Sequence, residues 1–149
     1  MESSVLTKYA VRKLYHMHYN NDGISYSSEN NGELSYAPVL KMLHCKIIHR
    51  PAHIRMGPLY RWKCLISDGT YYICAMATDS IKYLFDSRAV RPGTIIRADQ
   101  FRIMVTPRNM KVVSLLDITP LAHGTTNILI GDYKDVNIIK MSDEVLHEI

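Results

Sequence analysis

The sequence contains few of the residues that disulfide frameworks, phosphate-binding loops and membrane spans require. Its seven glycines are scattered along 149 residues and form no grouped phosphate-binding loop. Three cysteines, Cys45, Cys64 and Cys74, are too few and of odd number for a disulfide framework, which predicts reduced thiols in an intracellular compartment. No apolar run approaches the ~20 residues of a membrane-spanning helix, and no signal peptide is recognisable. We therefore expect neither a membrane protein nor a disulfide-rich secreted domain.

Motifs of catalysis and metal binding are scarce as well. No Gly-x-Ser-x-Gly motif presents a nucleophile. His44, Cys45, His49 and His53 are close in sequence, but the chain has no Cys-x-x-Cys pair, and no His-x-x-x-His pair falls on a predicted helix. We expect no catalytic residues, no metal site and no cofactor, so the sequence predicts a binding protein rather than an enzyme.

Positive charge is concentrated in the middle of the chain. Residues 34–116 carry thirteen basic and four acidic side chains, a net charge of +9, whereas the whole chain carries +4. Residues 117–149 carry two basic and six acidic side chains. A body this basic favours an anionic partner, either a nucleic acid or an acidic peptide.

The spacing of apolar residues changes from helical to strand-like near Pro38. Residues 3–19 predict a helix that is capped by Ser3 or Ser4 and has one apolar face. Residues 20–36 are rich in Asn, Ser and Gly and predict a long, mobile loop. The apolar face of the predicted helix consists of Leu6, Ala10, Leu14 and Met17.

Five strands and one short helix follow. The strands are predicted at residues 38–49, 59–66, 70–77, 94–105 and 110–118, and the helix at residues 79–86. The first strand alternates imperfectly, which indicates a β-bulge or strong curvature. A helix between the third and fourth of five short strands is the element order of the OB-fold, a five-stranded Greek-key barrel. The sequence therefore predicts a mainly β protein with this fold and an N-terminal helix.

Three segments are expected along the chain. Residues 1–36 form the N-terminal helix and the mobile loop, and residues 37–132 form the barrel. Residues 133–149 form a C-terminal tail or the beginning of a linker. The acidic, partly apolar end at residues 143–149 predicts that the protein continues further, and it offers an internal mimic of an acidic ligand.

Basic side chains converge on one face of the predicted barrel. Arg61 and Lys63 are two residues apart on a strand, so both side chains point to the same side. Lys46 on the first strand, Lys111 on the fifth strand and Arg108 in the preceding turn are placed to join them. Neighbouring cations repel each other unless an anion or solvent lies between them. We interpret this face as a basic cleft for an anionic ligand.

Exposed aromatic rings distinguish a cleft for single-stranded DNA from a cleft for a peptide. Base stacking contributes on the order of 1–3 kcal/mol per base. Tyr60 and Trp62 share the strand phase of core residues, and at least one of Tyr71 and Tyr72 points outward. The lack of an exposed aromatic pair favours an acidic peptide. Single-stranded DNA and the acidic end of the chain itself remain alternative occupants of the cleft.

Three stretches of the chain form a recognisable ordered set. They are PVLKMLHCKII (38–48), YRWKCLISDG (60–69) with AMATDSI (75–81) after it, and KVVSLLDITPL (111–121). Together with the Ile-Gly-Asp at 130–132, this set resembles the N-terminal OB domain of the large subunit of replication protein A. The similarity covers about two thirds of the chain, and its most specific element is the aromatic-basic-apolar strand that ends in Ser-Asp-Gly.

The resemblance implies a protein-recruitment module of a heterotrimeric, single-stranded DNA-binding complex in the nucleus. In that family the basic cleft takes up acidic amphipathic helices of DNA replication, repair, recombination and checkpoint proteins, and it binds DNA only weakly. Contacts with the other subunits lie in regions beyond this chain. The resemblance implies a cleft with the cations Lys46, Arg61, Lys63, Arg108 and Lys111 over an apolar floor of Ala75, Met76 and Val113.

Three features depart from the family pattern and allow for a divergent species or a specialised paralogue. The loop at residues 20–36 is longer than is usual, the loop at residues 50–58 differs in sequence, and Met110 occupies a cleft position that is often basic. The alternative function is an OB domain that itself binds single-stranded DNA, including telomeric DNA.

Overall fold

Five long strands form a closed barrel in the computed structural model of the chain, which describes residues 6–17, 26–27, 35–124 and 133–137. The elements in chain order are α1 (Ala10–His16), β1 (Tyr26–Ser27), β2 (Val39–His49), β3 (Tyr60–Ser67), β4 (Tyr71–Ala77), a 3-10 turn (Asp79–Ile81), α2 (Lys82–Asp86), β5 (Thr94–Val105), β6 (Lys111–His123) and β7 (Lys134–Asp135). Strand β2 pairs with β3 and β5, β3 pairs with β4, β4 pairs in parallel with β6, and β6 pairs with β5. These pairings close the ring, and the predicted OB-fold is confirmed.

The predicted and observed strands agree closely except at one end of β6. Strand β6 continues to His123, five residues beyond the predicted end at residue 118. Pro120 interrupts the sequence pattern, but it pairs with β5 beside a register shift, where a missing N–H is tolerated. The predicted irregularity of the first long strand is present, because the register of β2 against β3 shifts between Met42 and His44.

Apolar side chains at alternate strand positions fill the barrel. The buried residues include Leu40 and Met42 of β2, Cys64 and Ile66 of β3, Ile73 and Ala75 of β4, Ile96, Phe101 and Ile103 of β5, and Val113 and Leu115 of β6. In β4 and the first part of β6, burial at every second residue leaves the intervening residues on the outer surface. Successive residues are buried in β2 (Leu40, Lys41, Met42 and Leu43) and at the start of β5 (Thr94, Ile95 and Ile96).

Helix α1 packs against the barrel core and is shorter than the predicted helix at 3–19. The Thr7 N–H donates to the Val39 carbonyl (2.9 Å), and the Thr7 hydroxyl accepts from the Val39 N–H (2.8 Å). This contact with the start of β2 holds the chain out of the helix, so α1 begins at Ala10. Leu14 and its apolar neighbours on α1 pack into the core.

Part of the predicted loop at residues 20–36 is a strand. Tyr26–Ser27 pair with β5, and the Tyr26 ring stacks on Phe101 at 5.4 Å between centroids. The expected cap at Ser3 or Ser4 and the acidic end at residues 143–149 lie outside the described residues. Within the described part of the chain, no helix has the length and apolar character needed to cross a membrane.

Residues 133–137 pack on the barrel. Lys134–Asp135 pair in parallel with β4, and Val136 is only 3% exposed. The Asn137 side chain accepts from the Lys111 N–H (3.0 Å) and donates to the Lys111 carbonyl (3.2 Å). These contacts complete the edge of β6 and hold residues 134–137 against the barrel.

Helix α2 is fastened to β3 through Asp86. Its carboxylate accepts hydrogen bonds from the Trp62 indole N–H (2.8 Å) and the Tyr60 hydroxyl (3.0 Å). The Trp62 ring stacks on Phe85 with 5.8 Å between centroids. The hydrogen bond to Asp86 is the largest cause of the raised pKa of Tyr60. Both rings therefore face α2 and offer no platform for stacking on the outer side of β3.

Candidate ligand-binding groove

The outward faces of β3, β4 and β6 form a groove between two loops, residues 50–59 and 106–110. Alternation sends Cys64 and Ala75 into the core, and it sends Lys63 and Met76 to the outer side. We call this surface the outer groove. Its lining from the strands consists of Arg61, Lys63, Leu65, Tyr72, Cys74, Met76, Ala77, Val112 and Ser114. Asp79, just after β4, lines the same pocket as Arg61 and Met76. Three adjoining pockets along it have volumes of about 290, 220 and 510 Å³.

Strand register places three cations side by side on the outward faces of β2 and β3. Arg61 and Lys63 line the outer groove, and Lys46 lies beside it in a separate pocket with His44. Lys46 of β2 lies directly opposite Lys63 of β3, and Lys63 lies opposite Met76 of β4. Arg61 is two residues from Lys63 on the same face, ~7 Å along the strand. Like charges that face each other across two strands are destabilising. A carboxylate or phosphate between them relieves this repulsion, so the arrangement favours an anionic ligand.

The β5–β6 turn brings Arg108 and Met110 to one end of the outer groove. The turn is closed by hydrogen bonds from the Thr106 N–H to the Met110 carbonyl (2.8 Å) and from the Asn109 N–H to the Thr106 carbonyl (2.8 Å). Arg108, Met110 and Lys63 line the same pocket of about 510 Å³, the 106–110 pocket. Arg108 therefore lies near Lys63, and Met110 makes this end of the groove partly apolar.

The loop at residues 50–59 forms the other end of the outer groove. Its pocket of about 290 Å³, the 50–59 pocket, has an apolar lining that includes Ile48, Ile54 and Met56. The Arg50 guanidinium donates to the Gly57 carbonyl (3.0 Å) and holds the loop closed. Gly57 itself has φ of 92°, a conformation that strongly favours glycine.

Two residues predicted for the apolar floor lie inside the barrel instead. Ala75 is fully buried, Val113 is 1% exposed, and the two residues pair across β4 and β6. Their side chains belong to the core and do not reach a ligand in the outer groove. Met76, Cys74 and Val112 provide the apolar lining from β4 and β6, because successive strand residues point to opposite faces.

Lys111 also lies outside the outer groove, contrary to the prediction. It shares the strand phase of Val113, so its side chain leaves β6 on the side of α1. The ammonium group donates to the carbonyls of Tyr15 (2.5 Å) and Met17 (3.3 Å) at the end of α1. A cation at these carbonyls complements the negative end of the helix dipole. Lys111 therefore fastens α1 to the barrel.

Several residues of the outer groove were missed at the level of sequence. They are Leu65, Tyr72, Cys74, Val112 and Ser114 on the strands, and Ile54 and Met56 in the loop. Every second residue of a strand points to the same face, so Leu65 follows from Lys63, and Cys74 and Tyr72 follow from Met76. The sequence of the loop has no such periodicity.

Arg102 of β5 was missed as well. It pairs with Ser114 on the outer surface, and its Nε is buried with no hydrogen-bond partner among the described residues.

The cysteine thiols are held in their protonated form. Burial raises the pKa of Cys45 to about 12 and raises that of Cys64 well above its ordinary value. Burial also raises the pKa of Cys74, although the Lys63 ammonium opposes this shift. The thiolate is the nucleophilic and metal-binding form, so these thiols are poor nucleophiles at neutral pH. In the part of the chain that the structure describes, no group of three His, Cys, Asp or Glu side chains comes together as a metal site.

The profile of a known protein family matches residues 19–123, more than two thirds of the chain. That family is the N-terminal domain of replication factor-A protein 1. The chain belongs to this family. The match spans all five barrel strands and both loops of the outer groove, and it confirms the resemblance seen in the sequence. The chain is therefore a replication-factor-A-related module, associated with DNA replication and DNA binding. Members of this family are generally non-enzymatic binding modules.

Comparisons with individual proteins are less informative than the family match. The solution structure of a hypothetical protein from Arabidopsis thaliana is 16% identical, with a TM-score of 0.45, and the similarity covers 82% of this chain and 88% of that chain. Similarity at this level carries no functional information. No curated protein is significantly similar to the chain.

Proposed function

We propose that the outer groove binds acidic amphipathic helices of proteins that act in DNA replication, repair, recombination and checkpoint signalling in the nucleus. One observation carries this proposal. The strand register places Lys46 opposite Lys63, with Arg61 on the same face, beside the apolar side chain of Met76. Cations next to an apolar floor are complementary to a helix that has carboxylates along one side and an apolar stripe along the other.

The proposed ligand is held by many weak contacts. Its carboxylates meet Lys46, Arg61, Lys63 and Arg108, while its apolar stripe lies on Met76 and Val112. Exposed ion pairs contribute only ~0.2–1 kcal/mol each. The dissociation constant is therefore roughly micromolar, which corresponds to about −8 kcal/mol, and binding weakens as salt screens the charges.

Other partners follow from the family. We propose that the protein works within a heterotrimeric single-stranded DNA-binding complex. Its own affinity for DNA is weak in this proposal, because the described strands of the outer groove present one aromatic ring, that of Tyr72.

Single-stranded DNA, including telomeric DNA, is the second candidate ligand. Tyr72 supports it, since this ring lines the 106–110 pocket together with Lys63 and Arg108 and offers a surface on which one base can stack. Tyr71 faces the other side of β4, where the Arg12 guanidinium lies 5.7 Å from its ring centroid. Asp135 also lines the 106–110 pocket and repels a phosphate. A single stacking ring favours a peptide over DNA, whereas Asp135 repels the phosphates of DNA and the carboxylates of an acidic peptide alike.

The proposal is tested by titrating a fluorescent acidic amphipathic peptide into the protein and into the double variant Arg61→Glu/Lys63→Glu. The matched control is Lys8→Glu/Arg88→Glu, which makes the same change in net charge at exposed residues that line none of the three pockets. We expect at least a tenfold loss of affinity in the first variant and less than a twofold loss in the control. Equal losses in the two variants contradict the proposal, because they indicate a non-specific effect of charge.

A second titration separates the peptide from DNA. If a single-stranded oligonucleotide binds far more tightly than the peptide and loses its affinity in Tyr72→Ala, the DNA-binding function is correct and the peptide-binding function is not. Peptide affinity that is unchanged in Tyr72→Ala and exceeds that of the oligonucleotide supports the peptide.

A further inference from the structure

Strand β2 extends past its neighbour β5, so the second half of β2 has a partner strand on one side only. The pairing of β2 with β5 ends at Lys41, whereas its pairing with β3 continues to His49. The Gly93 N–H then donates to the Met42 carbonyl (2.7 Å). Beyond this bond, no other segment of the described chain pairs with that side of β2. We call residues 45–49 the open edge of β2, which is ~13 Å long at ~3.3 Å per strand residue.

The hydrogen-bonding phase of β2 shows which backbone groups face the open edge. The Arg50 N–H donates to the Leu59 carbonyl (2.8 Å), just beyond the last strand pair of β2 and β3. In an antiparallel ladder, opposite residues alternate between pairs that exchange hydrogen bonds and pairs that do not. Lys46 and Ile48 are an even number of residues from Arg50, so their backbone groups bond to β3. The N–H and C=O groups that point away from β3, to the open edge, are those of Cys45, Ile47 and His49.

The two faces of β2 differ in character along the open edge. Ile47 is 40% exposed and lies on the face of Trp62, its partner on β3. Lys46 lies on the opposite face, beside its partner Lys63. A strand that adds to this edge in antiparallel orientation places its side chains alternately next to Ile47 and next to Lys46. Apolar residues match the first position, and carboxylates match the second.

Charge decides between a second copy of the chain and a different partner at the open edge. Residues 46–67 contain five basic and no acidic side chains. A second copy paired through the same edge brings two such segments together, and like charges opposite each other are destabilising. Lysine on an edge strand blocks self-association of this kind. A partner strand with carboxylates is attracted instead, so charge favours an acidic peptide over a second copy.

We infer that the open edge of β2 binds an extended peptide of alternating apolar and acidic residues, which adds to the barrel as an antiparallel strand. Its apolar residues lie opposite Ile47, so their N–H and C=O groups bond to the open edge. The N–H groups of its acidic residues face solvent. The binding groups are on the side of β2 away from β3, so this site uses none of the strands that line the outer groove and does not depend on the proposed function.

The test uses fluorescent nine-residue peptides that alternate valine and glutamate. N-methylation of the valines removes the N–H groups that face the open edge, whereas N-methylation of the glutamates removes N–H groups that face solvent. We expect the glutamate-methylated peptide to bind within twofold of the unmodified peptide and the valine-methylated peptide to bind at least tenfold more weakly. Equal affinities for the two methylated peptides overturn the inference, and so does the absence of binding by the unmodified peptide.

A substitution in the protein tests the same hydrogen bonds from the other side. Ile47→Pro removes one N–H of the open edge and keeps the bonds to β3, because proline is tolerated where the N–H of an edge strand faces solvent. It should lower the affinity of the unmodified peptide at least tenfold. The control Ile47→Thr keeps the N–H and should lower the affinity less than threefold. Equal losses in the two variants contradict binding through the backbone.

Amide hydrogen exchange in the unsubstituted protein provides a readout that does not depend on the folding of a variant. Bound peptide should slow exchange at Ile47 and His49, whose N–H groups face the open edge. Exchange at Lys46 and Ile48 should stay unchanged, because their N–H groups already bond to β3. Saturable binding without this alternation overturns the inference.

Discussion

Replacing Lys111 separates a residue that holds the fold together from the residues that hold a ligand. In the sequence this lysine resembles a cleft cation, but its ammonium group donates to two carbonyls at the end of α1. Lys111→Met keeps the length of the side chain and removes both hydrogen bonds. We expect this variant to lose stability and to keep its affinity for an acidic peptide.

The expected loss of stability follows from those two hydrogen bonds. Hydrogen bonds that involve a charged group contribute ~1.5–3 kcal/mol. Lys111 is half-buried, so solvent screens part of this interaction and the lower end of the range applies. The free energy of unfolding should fall by about 1.5 kcal/mol, which for a protein of this size lowers the melting temperature by about 4 °C.

The assay is unfolding in urea followed by the fluorescence of Trp62, the one tryptophan of the chain. Its matched control is Lys63→Met, the same substitution within the outer groove. Lys63→Met should keep its midpoint of unfolding and lose peptide affinity severalfold, whereas Lys111→Met should show the reverse. The reasoning is refuted if Lys111→Met keeps its stability and loses as much peptide affinity as Lys63→Met.

Three further predictions follow from the barrel and its thiols. Val113→Ala should lower stability by about 2 kcal/mol and leave peptide affinity unchanged, whereas Val112→Asp should weaken peptide binding with little effect on the urea midpoint. Asp86→Ala removes the acceptor of the Trp62 indole N–H, so it should shift the emission of that residue and lower stability by about 1 kcal/mol. The pKa of Cys45 is raised to about 12 in the folded protein, above its ordinary value of 9.0, so folding favours the protonated thiol and stability should fall as the pH rises above about 9. Urea midpoints at pH 7, 9 and 10.5 should fall less steeply in Cys45→Ala, and an equally steep fall in that variant contradicts the assignment.

The strands and the central cations could be predicted because their signals are local. Arg61 and Lys63 alternate with residues that are plainly apolar. Because side chains alternate between the two faces of a strand, this pattern shows that the two cations share a face and that this face points outward. The order of strands and helix then suffices for the OB-fold.

Side-chain direction could not be predicted where both phases of a strand are apolar. Val112 and Val113 are adjacent and identical, so alternation shows that they face opposite sides without showing which one is buried. The parallel pairing of β4 with β6 decides this, since it places Val113 opposite the buried Ala75. Lys111 is two residues before Val113, so its side chain leaves the strand on the same side and reaches α1.

Tertiary contacts set the remaining features. The start of α1 depends on the contact of Thr7 with Val39, which lies 32 residues away in the chain. The 50–59 pocket depends on the hydrogen bond from Arg50 to the Gly57 carbonyl, which closes a loop whose sequence has no hydrophobic periodicity. Neither contact leaves a pattern in the surrounding sequence, so neither feature follows from periodicity.

Methionine methyl groups provide the most direct test of the central claim that the outer groove is the ligand-binding surface. Met56, Met76 and Met110 line the outer groove, whereas Met42 is fully buried in the core. In protein labelled with ¹³C at the methionine methyls, titration with an acidic amphipathic peptide should shift the three groove signals together and leave that of Met42 in place. Saturable binding of the peptide with unchanged signals from Met56, Met76 and Met110 would contradict the account.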